Sequence, residues 1–147
     1  MTSNSLHIIS VHLPVVLTPV MAVWTYSNLK NASVKTWKQI YAVSIAMAII
    51  TSISYFTGPA TAEHVKIVLQ NYPQDLVESH ALWGRIAFIV QIFAGLIGIM
   101  GLSSYLQDEN PSPKLPWILF IILCVNIFIL IYTAHLGGMI RREDIFM

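Results

Sequence analysis

Five histidines, His7, His12, His64, His80 and His135, are the residues of this chain best equipped for chemistry. A neutral imidazole offers one lone pair to a metal and one N–H to a neighbour, and its charge changes near physiological pH. The remaining inventory is thin. Cys124 is the one cysteine, which excludes an internal disulfide, a CxxC metal site and a c-type heme attachment motif. The sequence holds no HExxH pair, phosphate-binding glycine loop or nucleophile elbow, so the common hydrolytic and nucleotide chemistries have no visible basis. No row of carboxylates suggests a proton-driven pump.

The elements that must position these imidazoles are apolar. Of 147 residues, 56% are hydrophobic and 10% charged, against about 25% charged in a soluble domain. Mean hydropathy is +0.68. Apolar segments at 8–27, 40–58, 81–102 and 116–136 each approach or exceed the roughly 20 residues that cross a bilayer. The fold expected is all-α: an integral membrane four-helix bundle, up-down-up-down, forming a single transmembrane domain over 1–147. A formal net charge of +1 implies no nucleic-acid partner. The N-terminus lacks a basic n-region and reads as a retained helix rather than a cleaved signal. No inverted repeat of the transporter kind is visible.

Punctuation along the chain sets the expected boundaries. Pro14 suits an early helical turn, and Pro19 predicts a kink. Trp24 and Tyr26 suit an interface. Ala42, Ala46 and Ala48, with Ser44, Thr51, Ser52 and Ser54, permit close helix contacts in the second segment. Gly58-Pro59 is expected to end that helix, with TAEHVKIVLQ at 61–70 forming a short interfacial one. Gly98 and Gly101 ease helix approach in the third segment. Asn126 predicts an interhelical hydrogen bond, and Gly137-Gly138 a helix stop. Cys124 reads as packing.

This topology returns His12, His64, His80 and His135 to one membrane face. Ionisable groups at membrane depth are costly unless paired, ligated or hydrated. Three readings follow. Diagonal pairs, His12 with His80 and His64 with His135, could serve as axial ligands of heme b. All four could instead converge on a small transition-metal ion. Each could also be solvated or hydrogen-bonded, with no cofactor. His7 is the weakest candidate, in a tail or at the rim.

Neighbouring residues carry the same duality. Arg85 could meet heme propionates or Glu78, or simply snorkel to the interface. Tyr132, three residues before His135, could bond a ligand on the same face or anchor the interface. Glu63 could orient His64 or stay wet in a loop. Lys66, Arg141 and Arg142 could neutralise propionates or meet anionic lipid. Ala81, Gly84, Ala134, Gly137 and Gly138 could leave room for a porphyrin or serve helix packing.

Lysine and arginine divide evenly between the two faces: Lys30, Lys35, Lys38 and Lys114 on one, Lys66, Arg85, Arg141 and Arg142 on the other. The dense, acid-free first loop places its side in the cytoplasm. The histidine face is then periplasmic, in a bacterial inner membrane.

Four motifs in order resemble the DUF2231 family of small four-helix membrane proteins: VHLP at 11–14, TGPATAEH at 57–64, His80 opening the third helix, and TAHLGGMIR at 133–141. The resemblance covers nearly the whole chain. Two departures stand out. His7 is not followed by proline, and Ala134 replaces a glycine. Similar domains joined to cytochrome-like modules imply a redox role. The leading expectation is therefore a b-type heme-binding redox subunit that exchanges electrons with a quinol or a partner cytochrome, rather than a stand-alone enzyme. The alternatives are a non-catalytic assembly or accessory subunit of a membrane complex, and transition-metal binding or transport.

Overall fold

The computed structural model describes residues 3–31, 33–68 and 72–141. They form four helices: α1 (Ser3–Asn28), α2 (Val34–Val68), α3 (Gln74–Leu106) and α4 (Leu115–Arg141). All four are long and apolar enough to cross a membrane. The chain is an integral membrane four-helix bundle running up-down-up-down, with α1 against α2, α2 against α3, α3 against α4, and α4 closing back on α1. The diagonal partners, α1 with α3 and α2 with α4, do not pack on each other among the described residues.

Two expected helix stops are not observed. Helix α2 does not stop at Gly58-Pro59 but continues to Val68, absorbing the separate short helix expected there; Leu69 and Gln70 lie outside the described residues. A proline removes one backbone donor, and near a membrane face water can meet the carbonyl it frees. At 35 residues, α2 is about 52 Å long, longer than the roughly 30 Å hydrocarbon core. Its C-terminal turns must project beyond that core. Helix α4 likewise runs through Gly137-Gly138 to Arg141. Neither glycine adopts positive φ, so neither acts as a left-handed cap.

The side chains divide inside from outside as lipid demands. Met21, Ala22, Ile40, Tyr41, Met47, Ala94, Leu119 and Leu123 form the buried cluster, with Cys124 packed against it. Val16, Val23, Phe56, Ile121 and Phe128 face outward, a belt that water would not tolerate. Lipid tails are as apolar as leucine, so close packing rather than water exclusion must join the helices. The α2–α3 seam shows how. A Cβ added at Gly95 would lie 2.6 Å from the Ala48 Cβ, and one at Gly98 would lie 2.7 Å from the Tyr41 carbonyl oxygen. The ring of Tyr41 lies against Gly101.

Burial also exposes an internal repeat. In α1 the buried positions include Pro14, Thr18, Met21, Ala22 and Thr25; in α3 they include Ala87, Gln91, Ala94, Gly95 and Gly98. Each pair is 73 residues apart. In α2, Ile40, Ser44, Met47 and Thr51 match Leu119, Leu123, Asn126 and Leu130 of α4, each 79 residues on. The hairpin α1–α2 and the hairpin α3–α4 therefore present the same inward pattern in the same direction. This is a parallel repeat about the bundle axis, unlike the inverted repeats of many transporters.

Candidate functional site at the histidine end

The N-termini of α1 and α3 and the C-terminal parts of α2 and α4 meet at one end of the bundle. There each hairpin carries the same device. In the first, His7 Nδ1 donates to the Ser54 carbonyl oxygen at 2.8 Å, with the Thr57 hydroxyl 3.4 Å away. In the second, His80 Nδ1 donates to the Thr133 carbonyl oxygen at 3.0 Å. His7 and His80 are themselves 73 residues apart, and Ser54 and Thr133 are 79 apart, so the repeat carries through to these contacts.

A glycine sits four residues after each acceptor carbonyl. A Cβ at Gly58 would lie 3.6 Å from His7 Cε1, and one at Gly137 would lie 3.1 Å from His80 Cε1. One helical turn separates a carbonyl from the residue four places on. Each ring therefore rests across the backbone of the neighbouring helix; at Gly137 the absent side chain makes room for it, whereas at Gly58 a methyl would be in ordinary van der Waals contact. This explains why Gly137 continues a helix rather than ending one.

The bonds fix the chemistry of both rings. A backbone carbonyl can only accept, so Nδ1 carries the proton, and in the neutral ring Nε2 keeps the lone pair. A histidine that ligates a metal through one nitrogen commonly donates its other N–H to a carbonyl or carboxylate in this way. Both rings are half-buried and lie within electrostatic range of each other. They come from α1 and α3, the diagonal helices that do not pack together. Aromatic contacts brace this end: Tyr55 stacks on Phe88 with centroids 4.5 Å apart, joining α2 to α3, and Trp83 meets Tyr132 edge-on at 5.0 Å, joining α3 to α4.

Of the four histidines expected to share the site, His80 takes up this inward position. His12 is exposed, and its Nδ1 donates to the Ile8 carbonyl of its own helix. His64 and Glu63 are exposed on the extension of α2, and His135 is exposed on α4. Among the described residues, no three His, Cys, Asp or Glu side chains gather as a metal site; the compact four-imidazole cluster is not formed. Arg85 is exposed, five residues beyond His80, and Tyr132 is exposed beside Trp83. Glu78 accepts a hydrogen bond from Gln74 Nε2 at 2.8 Å. Arg142 lies outside the described residues.

The residue that sequence reasoning set aside is His7. Its signal is present but faint. SYFTG at 54–58 and TAHLG at 133–137 share a hydroxyl residue four places before a glycine, and an imidazole bonds the carbonyl of that hydroxyl residue in each. Compared with protein-family models, curated proteins and solved structures, the chain finds no match.

Proposed function

We propose that this chain is a b-type heme-binding subunit of a membrane redox complex, in which His7 and His80 would hold the heme iron. One observation carries the reading: two equivalent imidazoles, on diagonal helices, each fixed by a backbone carbonyl so that Nε2 keeps the lone pair. That donor set suits heme iron, which takes neutral imidazole nitrogen on either side. Bound there, the heme would supply reversible one-electron chemistry.

The protein's own contribution is orientation and exclusion. The carbonyls of Ser54 and Thr133 hold the two rings in one tautomer and make each Nε2 a better donor. Gly137 lets the His80 ring lie close against helix backbone, and the His7 ring lies in contact range of Gly58. Arg85, exposed five residues beyond His80, would meet propionate carboxylates as a bidentate cation. The apolar outer belt keeps the assembly in the bilayer, where a quinol or a partner cytochrome would exchange electrons with it. The resemblance to the DUF2231 family, with its cytochrome-linked relatives, supports the same reading. The lysine-rich first loop supports a periplasmic histidine face in a bacterial inner membrane. This revises the expected pairing: His7 takes the role first given to His12, and no role is proposed for His64 or His135.

The test is an absorption spectrum of the full chain, purified from heme-replete cells. A Soret band and the reduced α-band of a six-coordinate low-spin heme are expected in the wild type. Both should be lost or shifted to a five-coordinate form in His7→Ala and in His80→Ala, with helical content unchanged by circular dichroism. A wild type that folds and binds no heme would refute the proposal.

A further inference from the structure

The repeat that aligns the histidines also aligns a polar layer deep in the bundle. Thr18 follows His7 by eleven residues, and Gln91 follows His80 by eleven. Asn126 of α4 and Met47 of α2 are the matching positions of the other two helices. All four are almost wholly buried, Thr18 and Gln91 at 0% exposure, Asn126 at 1% and Met47 at 2%. Eleven residues of helix is about 16 Å, which puts this layer near the middle of the bilayer.

The layer is only partly satisfied by protein. Asn126 Nδ2 donates to Gln91 Oε1 at 2.8 Å. Gln91 Nε2, Asn126 Oδ1 and Thr18 Oγ1 are buried and have no protein partner. Exchanging O and N in both amides would reverse the bond between them. It would still leave one donor and one acceptor over.

Thr18, like Thr25 and Tyr41 nearer the other end of the bundle, has a buried hydroxyl without a protein partner; other buried hydroxyls are paired. Ser44, Thr51 and Ser54 each close on the carbonyl four residues back, and Ser10 closes on the carbonyl of His7. That acceptor is open to any helical threonine, yet the Thr18 hydroxyl is not bonded to it. A donor, an acceptor and a hydroxyl that can be either make a complement for one molecule that both gives and accepts hydrogen bonds. Buried waters typically make about three such bonds to otherwise unpaired groups. Orphaned polar groups are especially costly in hydrocarbon, where nothing else can meet them.

We propose that the Thr18–Gln91–Asn126 layer binds a water molecule at mid-membrane. The water accepts from the Gln91 amide, donates to the Asn126 carbonyl oxygen, and shares a hydrogen bond with the Thr18 hydroxyl. The site is independent of whether the histidine end holds heme.

Water-edited solid-state NMR of the labelled full chain in lipid bilayers tests it. Magnetisation should pass from water to the Gln91 side-chain amide at a rate typical of hydrated groups. The backbone amides of Leu123 and Ala94 at similar depth should stay dark. Thr18→Val, nearly isosteric, should reduce the Gln91 transfer several-fold. Thr51→Val, which removes a hydroxyl already closed on its own helix, should leave it unchanged. Asn126→Leu removes a different leg of the site and should lose the transfer as Thr18→Val does. A folded wild type with no transfer to Gln91, or a Gln91 signal indifferent to Thr18→Val and Asn126→Leu alike, would overturn the proposal.

Discussion

At the loop end of the bundle, Gly95, Gly98 and Gly101 bring α3 against the backbone of α2, and Tyr41 lies in the gap with its ring stacked toward Trp37 at 5.8 Å. At the histidine end, Gly58 and Gly137 also lie beneath rings, but these rings are imidazoles bonded to carbonyls. The packing device is the same and the chemistry differs. Tyr41 fills space and adds apolar contact where helices must adhere without a hydrophobic drive. His7 and His80 fill less space and retain a lone pair each. One end of the molecule is built to hold, and the other to present.

Substitutions at the two ends should separate these roles. The largest stability loss is expected for Gly98→Ala, because the new Cβ would meet the Tyr41 carbonyl oxygen at 2.7 Å and backbone cannot rotate aside. Overpacking of this kind costs about 1–3 kcal/mol, measurable by thermal or steric-trap unfolding. A seam unaffected by Gly98→Ala would mean that the helices are not packed this closely.

Single replacement of Asn126 by Leu should cost about 1 kcal/mol, since it strands Gln91 in the core. The double replacement with Gln91→Leu should cost less than the two singles summed, because it leaves neither amide unpaired. Additive losses would show that the 2.8 Å bond between them contributes little.

At the other end, His80→Ala should cost no more than about 1 kcal/mol. Its acceptor, the Thr133 carbonyl, lies within a continuous helix, so removing the ring strands no donor. The same change should abolish any axial ligation. Gly137→Ala is subtler. A methyl 3.1 Å from His80 Cε1 should tilt the ring by a few tenths of an ångström, shifting a heme spectrum while leaving stability nearly intact. The smallest effects belong to His12→Ala and His64→Ala, each within about 0.5 kcal/mol as exposed substitutions and neither altering the spectrum. A spectral change in His64→Ala would reinstate the pairing that the sequence first suggested.

The four crossings and their order were legible because composition and segment length leave a membrane chain few options. The interhelical role of Asn126 was legible for the same reason, since an amide at mid-depth must find a partner. The histidine site was legible only in part. His12 lies in the VHLP motif and starts an apolar run, so it looked structural and inward. His7 lies one turn earlier and looked like tail. Which of the two faces α2 depends on helix phase, and phase at a segment's edge is set by packing against neighbours rather than by the run itself. The helix boundaries failed similarly. Gly58-Pro59 and Gly137-Gly138 read as stops in isolation, but both stretches continue as helix, and at Gly137 the His80 ring rests where a side chain would crowd it. The repeat was hidden because it is one of burial rather than residue identity: Thr18 matches Gln91, and Met47 matches Asn126.

Whether the histidine end can hold heme as proposed turns on the tautomers of His7 and His80. Nitrogen-15 NMR of heme-free protein in bilayers, at a pH where both rings are neutral, reports which ring nitrogen carries the proton. A protonated Nδ1 and a bare Nε2 are expected on both rings, with Nδ1 correlated to the carbonyl carbons of Ser54 and Thr133. An Nε2–H on either ring would contradict the proposal, because that ring would then have neither the anchor nor the lone pair on which the proposed site depends.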